Sequence, residues 1–272
     1  MNKVTLKSPL AHQVQIGNSK LDNVLDHSKT GTGKSIAFLQ FAKTRNYAKL
    51  PNFGLIIVVK KALNQFRDEI LATQAGVPYI ITRKKRPSLT QLRMLQANGV
   101  NVYLISNKEL LNDEQSVDYI KSCIDIFGGR NQAVLHLDEV HIWRNTQKIW
   151  DASGKHKIYK VLTVRNTITV AQLFKFKYFA TATPFDKLIS EMWLSLHMLY
   201  PEEFDNYYNF KDQYTRRDWW SQQDVNRDGA LGALYERIAP FTYSFELKDV
   251  TDVTYELKMD IIKVAAPKPV IK

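Results

Sequence analysis

An α/β fold built on a mostly parallel sheet is the architecture that this 272-residue sequence specifies. Three observations carry it: short apolar, β-branched runs recur along the chain, longer segments of helical period separate them, and the two kinds alternate. Continuous apolar runs fit strands covered on both faces, the condition of a parallel sheet wrapped by helices. With 44% apolar residues the chain can bury a core as one large domain or two small ones.

In chain order the expected strands are FGLIIVV (53–59), VPYIIT (77–82), VNVYLIS (100–106), QAVLHLD (132–138) and KYFATAT (177–183), with VLDHS (24–28) a weaker one. Helices are expected over 34–45, 61–74, 89–98, 116–126 and 187–199. After Pro201 the text changes to the aromatic, charged EEFDNYYNFKDQYTRRDWW, a polar loop and the alternating, strand-like TYELKMDIIKVAA. Residues 201–260 therefore read as an appendage on the first 200 residues, and 261–272, ending in PKPVIK, as a linker toward a further domain.

Thirty-eight Lys and Arg against 27 Asp and Glu leave a formal charge of +11, a surplus that points to a polyanionic partner, nucleic acid above all, although a basic protein can simply be soluble. The single cysteine, Cys123, excludes an internal disulfide, and the start MNKVTLKSPLAHQVQ has no apolar core of signal-peptide length. A reducing cytoplasm fits, that of a host cell if the chain is viral. No apolar run approaches the ~18 residues that span a bilayer, which argues against a membrane-embedded role.

The stretch HSKTGTGKS (27–35) has the tail of a phosphate-binding loop, with serine where the pattern G-x-x-x-x-G-K-S begins with glycine. Gly31 and Gly33 let the backbone curl so that the N–H groups of residues Ser28, Lys29, Thr30, Gly31, Thr32 and Gly33 face phosphate oxygens. Lys34 would reach the β and γ phosphates of ATP and the Ser35 hydroxyl would ligate Mg2+. Ser28 occupies the least demanding position of the pattern; a Gly-Lys-Ser surface turn is the plain alternative.

In LHLDEVHIWRN (135–145) an apolar strand delivers Asp138 and Glu139 to its carboxyl end, where ligands bind in open α/β sheets. Asp138 would hold Mg2+, and Glu139 would orient and deprotonate the water that attacks ATP. Taken alone, this is also how an ordinary acidic turn reads. FATATPF (179–185) ends another strand with Thr181 and Thr183, whose hydroxyls can link a nucleotide site to a neighbouring surface. The run TRKKRP (82–87) sets Arg83, Lys84, Lys85 and Arg86 on a loop that either neutralises phosphates or is simply solvated. The aromatics of YYNFKDQYTRRDWW read first as a packed core and second as stacking platforms for bases. DVNRDG (224–229) opens like a calcium loop, but position twelve is Tyr235, so a polar turn is expected. His12, His27, His136, His141, His156 and His197 show no zinc-ligand spacing with the cysteine.

The order HQ, TGTGKS, DEVHIWRN, TATP resembles the superfamily-two helicases, and within them the Swi/Snf-like double-stranded DNA translocases. Arg144 and Asn145 match the basic residue and Asn that follow D-E-x-H in that family. Glu191 stands in its acidic place after T-G-T-P, and YNFKDQY is similar to the segment that comes next. The likeness covers roughly 8–260 and implies a RecA-like ATP-binding lobe, the first of two, over 1–200. It further implies that Gln13 recognises adenine, that LIIVVKKALNQFRDEI with Lys60 and Lys61 lies on the DNA backbone, and that Ser106 and Asn107 touch nucleic acid. His141 would bridge the nucleotide to the TATP segment, with Thr181 and Thr183 as the coupling hydroxyls. Departures are Lys60 at a position usually proline, Ala182 for glycine, and Asp186-Lys187 for Gln-Asn. The implied partners are duplex DNA as the favoured nucleic acid and a second RecA-like lobe in cis or in trans. The implied activity is ATP hydrolysis, weak without that second lobe. Two other readings stay open: another superfamily-two motor, of restriction-translocase or RNA-helicase type, and a single-lobe, nucleotide-dependent DNA-binding module without efficient turnover.

Overall fold

The structure, a computed structural model, describes residues 9–45, 51–143, 147–150, 156–159, 162–185 and 187–250, with backbone alone at 142, 147–150 and 156–159. Arg144, Asn145, Asp186, the alternating stretch TYELKMDIIKVAA and the segment 261–272 lie outside the described residues.

The first half of the chain alternates as the hydrophobic pattern requires: α1 (Ala11–Gly17), β1 (Asn23–Asp26), α2 (Lys34–Thr44), β2 (Phe53–Ile57), α3 (Leu63–Ala72), β3 (Val77–Ile80), α4 (Leu89–Ala97), β4 (Val102–Ser106), α5 (Glu114–Ile126) and β5 (Ala133–Asp138). A short antiparallel hairpin, β6 (Gln147–Trp150) with β7 (His156–Tyr159), precedes α6 (Leu162–Leu173) and β8 (Phe176–Ala180). The last part comprises α7 (Trp193–Leu199), α8 (Tyr207–Tyr214), the hairpin β9 (Thr215–Arg217) and β10 (Asp224–Asn226), α9 (Ala230–Ile238), β11 (Thr242–Tyr243) and α10 (Leu247–Val250).

Seven strands form one sheet in the order β11-β1-β8-β5-β2-β4-β3, and every pairing in it is parallel. All five of the expected strands are present, each trimmed at one or both ends, and the weak VLDHS strand is β1. The expected helix over 187–199 begins instead as a 3-10 turn at Ile189–Met192 and becomes α-helical only from Trp193. That over 61–74 likewise opens with a 3-10 turn, Lys60–Ala62.

Successive strand residues feed opposite layers, as the strand period of two demands. Leu55, Ile57, Leu104, Leu135 and Leu137 pack with α5, α6, α7, α8 and α9. Ile56, Ile105, Val134 and Tyr178 pack with α1, α2 and α3. In the second layer Phe38 of α2 stacks on His136 of β5 at 4.6 Å and leans on Tyr178 at 5.9 Å. The imidazole of His136 is fully buried and donates Nδ1–H to the Tyr178 carbonyl, 3.0 Å away.

Helix α6 overrides its own composition. LTVRNTITVAQL is rich in β-branched residues, which favour strands. Its Thr167 and Thr169 hydroxyls donate to carbonyls one turn back, Asn166 Nδ2 donates to the Leu111 carbonyl at 2.8 Å, and Val164, Ile168, Val170 and Ala171 are buried. The segment after Pro201 packs through Phe204, Phe210, Tyr214, Leu234 and Phe241 into the first layer, and β11 extends the main sheet beside β1.

Phe38→Ala would open a void between His136 and Tyr178 that neighbouring rings cannot fill, so a loss of about 3–5 kcal/mol is expected, measured as a lowered urea midpoint with an unchanged m-value.

Candidate active site

Because the sheet is all parallel, the carboxyl ends of β1, β8, β5, β2 and β4 lie along one edge, and the sequence-predicted residues collect there. The loop between β1 and α2 is shaped by two left-handed glycines, Gly31 at φ 91° and Gly33 at φ 78°. A Cβ at Gly33 would sit 2.4 Å from Gln13 Nε2, so a larger residue would displace the Gln13 amide, while the left-handed backbone is what requires glycine. Gln13 reaches the loop from α1: its Nε2 lies 3.2 and 3.3 Å from the carbonyls of Thr32 and Gly33, and its Oε1 accepts from the Leu10 amide at 2.8 Å. His12 donates Nε2–H to the same Thr32 carbonyl at 2.8 Å. Lys34 folds over the loop, its Nζ 2.8 Å from the Ser28 carbonyl and 3.2 Å from that of Lys29.

Ser28 has a use that glycine would lack. Its buried hydroxyl accepts from the Phe245 amide at 3.1 Å. On either side, His27 N–H donates to the Tyr243 carbonyl at 2.7 Å and Lys29 N–H to the Phe245 carbonyl at 3.0 Å. Thus β11 and the residues after it continue the sheet pairing onto the loop itself, while Ser28 N–H is held by the Asp26 carboxylate at 2.9 Å. Asp26 is buried and also accepts from the Tyr178 hydroxyl.

Asp138 ends β5 opposite Ala180 of β8. Burial pushes its carboxyl up to about 6, with Glu139 adding to the rise and Lys34 opposing it. Glu139 takes a left-handed backbone, φ 51°, which is unusual for a residue with a Cβ and turns the chain sharply at the strand end. Its Oε2 lies 3.1 Å from His141 Nδ1, close but not aligned as a hydrogen bond, so that this oxygen is buried without a hydrogen-bond partner. His141 Nδ1 is 2.9 Å from Thr181 Oγ1 and 3.4 Å from Thr183 Oγ1. The structure thereby joins Glu139, His141, Thr181 and Thr183 in one polar chain between β5 and β8.

A cavity of about 530 Å³ takes in Gln13, the loop from Thr30 to Ser35, Asp138 and Glu139. Helix α3 closes it with Gln65, Phe66 and Glu69, which sequence reasoning placed on nucleic acid or did not single out. The available signal was the four-residue spacing of Gln65 and Glu69, which puts them on one helical face; Gln65 Nε2 donates to Glu69 Oε1 at 3.2 Å, and Glu69 Oε2 is buried with no hydrogen-bond partner.

A second cavity, about 510 Å³, brings Arg83 and Lys84 together with Ser106 and Asn107. The Ser106 hydroxyl is buried and donates to the Ile81 carbonyl, and the Asn107 side chain caps the Glu109 amide. Arg83, Lys84 and Lys85 are exposed, whereas Arg86 lies over the Tyr119 ring at 4.4 Å. Lys60 reaches this groove through an exposed ion pair with Glu109, 2.8 Å, and Lys61 is exposed beside it. Among the described residues no cluster of three or more His, Cys, Asp or Glu is arranged to hold a metal ion by itself, so a cation here would need ligands from a bound phosphate as well. Among the described residues no helix is long and apolar enough to cross a membrane.

Two measurements follow from these contacts. Ser28→Ala leaves the Phe245 amide without its acceptor in a partly buried place, an expected loss of about 1 kcal/mol, visible as faster hydrogen exchange at Phe245 than in the parent. The pH response depends on opposed groups: burial lowers His27 to about 4 and His136 to about 3, so on acidification below 6.5 the unfolded chain binds protons that the native state refuses, and stability falls. Asp138, raised to about 6, takes its proton first in the native state and opposes that fall. Two histidines outweigh one carboxyl, so the urea midpoint should drop between about pH 6.5 and pH 4.5, and Asp138→Asn should steepen the drop.

No protein-family model matches the chain. It is 22% identical over 234 residues to the ISWI chromatin-remodeling complex ATPase ISW1 of Saccharomyces cerevisiae, covering 84% of this chain and 18% of that protein. It is 23% identical over 255 residues to chromodomain-helicase-DNA-binding protein 1 of Gallus gallus, covering 89% of this chain and 12% of that one. Among solved structures it resembles the Sulfolobus solfataricus SWI2/SNF2 ATPase core in complex with dsDNA, with TM-score 0.58 and 13% identity over 91% of this chain and 48% of that one. The same archaeal SWI2/SNF2 ATPase core domain gives TM-score 0.53 and 14% identity over 89% and 44%. The chain thus spans under half of these structures and under a fifth of the curated relatives. With its all-parallel sheet and its loop, carboxylates and threonines on one edge, the chain has an α/β fold similar to that of a RecA-like lobe in the SWI2/SNF2 ATPase core structures.

Proposed function

We propose that this chain is the ATP-binding and hydrolysing lobe of a Swi/Snf-like motor that acts on duplex DNA in the cytoplasm. The observation that supports it best is the shared cavity: Lys34 and Ser35 of the glycine loop face Asp138 and Glu139 of β5 across one space of about 530 Å³. Relatives named as chromatin-remodelling and helicase-DNA-binding proteins, and a neighbour solved with dsDNA, favour the same reading.

In this reading the loop amides and the α2 N-terminus hold the phosphates of ATP. Lys34 leaves the carbonyls of Ser28 and Lys29 for the β and γ phosphates, and Gln13 presents its amide to the adenine side. Ser35 and Asp138 would hold Mg2+, which when bound neutralises charge on the phosphate oxygens. The carboxyl of Asp138 must be ionised for this role, and Lys34 favours that form. Glu139, with an oxygen free of hydrogen bonds, orients a water and takes its proton as the oxygen attacks the γ-phosphorus and the bond to ADP breaks. His141, Thr181 and Thr183 carry the change to the neighbouring surface. Lys60, Lys61 and the 83–86 loop supply sequence-independent phosphate contacts. A second RecA-like lobe, in cis or in trans, supplies the cation that stabilises charge on the transferring group, so that turnover by this lobe alone is slow. Residues 201–260 serve as the appendage that braces the lobe and 261–272 as the link toward the second.

ATP with Mg2+ should raise the melting temperature of the parent, corresponding to roughly 2.7 kcal/mol at a hundredfold excess over Kd, and Lys34→Ala should abolish most of that rise. Glu139→Gln should keep the rise and lose hydrolysis. Turnover compared with duplex DNA, single strands and RNA identifies the substrate; an unchanged thermal shift in the Lys34 variant would overturn the assignment of the loop.

A further inference from the structure

Four aromatic residues of the segment after Pro201, Phe204, Phe210, Tyr214 and Phe241, are in the core, but its two adjacent tryptophans are, among the described residues, its most exposed. Phe210 and Tyr214 are buried, whereas Trp219 and Trp220 are 79% and 90% exposed at the tip of the β9–β10 hairpin. A pair of indoles left in water is the informative kind of exposure, because it forgoes the burial that most stabilises such side chains.

The turn that carries them is built, not loose. Asp218 N–H donates to the Gln223 carbonyl at 2.7 Å, and Gln222 N–H donates back to the Asp218 carbonyl at 3.0 Å. The Asp218 carboxylate accepts from both the amide and the hydroxyl of Ser221, at 2.8 and 2.7 Å. Gln222 Nε2 donates to the Trp219 carbonyl at 2.7 Å, and Gln222 itself is held in the left-handed region at φ 55°. At its base the hairpin is fastened to the stretch that leaves Thr183: Asn226 accepts from the Ile189 amide at 2.9 Å and donates to the Lys187 carbonyl at 3.0 Å. An unfavourable backbone conformation is thus held in place by a network whose effect is to present two rings outward.

The surroundings select the partner. Arg216 and Arg217 are exposed on β9, on opposite faces of the strand that leads into the turn, and Arg217 Nε donates to Gln222 Oε1 at 3.2 Å. Two carboxylates lie nearby: Asp218, held by Ser221 and attracted by Arg216, and Asp224, opposite Arg217 in the hairpin and ion-paired with Lys211 at 2.6 Å, so that three cations face two acids. Planar apolar faces next to exposed arginines match a strand whose bases stack and whose backbone is anionic. The geometry points to a binding site for unpaired nucleotides at the β9–β10 tip, with Trp219 and Trp220 as stacking platforms and Arg216 and Arg217 as phosphate contacts. It rests on the nucleic-acid reading above and adds a surface outside the edge that carries the ATP site and the Lys60 groove.

The test is titration of the whole chain with single-stranded oligothymidylate, followed by tryptophan emission and by anisotropy of labelled DNA. The parent should show quenching. Trp219→Ala with Trp220→Ala should lower single-strand affinity by at least roughly tenfold while leaving the salt slope and the ATP-induced thermal shift unchanged. Arg216→Ala with Arg217→Ala should instead flatten the salt slope by about 0.7 per arginine. Unchanged single-strand affinity in the tryptophan variant, alongside normal duplex binding, would overturn the hairpin site and leave the motor reading standing. Absence of any nucleic-acid binding by the parent would overturn both, and an indole response to anionic phospholipid vesicles without one to oligothymidylate would overturn the site in favour of a membrane surface.

Discussion

Parallel pairing of all seven strands in the main sheet is the constraint on which the rest of this molecule depends. Parallel strands must each be followed by a crossover, so every strand exits on the same edge and every connecting loop that carries chemistry emerges there. The register of β5 against β8, with Asp138 opposite Ala180, sets Thr181 beside the turn that holds Glu139 and His141. The pairing of β1 with β8 then places the glycine loop at that edge, where it and the β5 carboxylates line one cavity. A slip of one residue in either pairing would reverse the faces of the strand and bury the wrong set of side chains.

Electrostatics at that edge are arranged around burial more than around pairing. Asp138 is raised by desolvation, with Lys34 as its counterweight, while Asp26 sits beneath the loop fully supplied with donors. The loop is held from three sides: from below by Asp26, from α1 by His12 and Gln13, and from the far end of the described chain by the residues around Phe245. The last of these links the glycine loop to the end of β11 and the residues after it, within the appendage, through shared hydrogen bonds.

The basic surface is divided rather than continuous. Lys60, Arg83 and Lys84 border one groove in which Glu109 and Asp113 hold part of the charge. Arg216 and Arg217 stand on a hairpin that also carries Asp218 and Asp224. The Lys60–Glu109 pair in the first is exposed and exchanges readily with water and salt.

By itself the sequence determined the fold class, the five principal strands and the pairing of HSKTGTGKS with LHLDEV, because these rest on short-range features: the two-residue and 3.6-residue periods, the conformational freedom of Gly31 and Gly33, and carboxylates at a strand end. Only the tertiary structure decided what depends on partners distant in the chain. The β-branched stretch 162–173 is a helix because its neighbours bury one face and accept Asn166, which outweighs local propensity. Ser28 replaces a glycine because an amide 217 residues away requires its hydroxyl. Gln65, Phe66 and Glu69 face the cavity because α2 and α3 cover the same side of the sheet, which no motif in their own segment states. The aromatic run after Pro201 was divided between core and solvent by the hairpin, since a count of aromatic residues carries no information about which of them a turn will hold away from the protein.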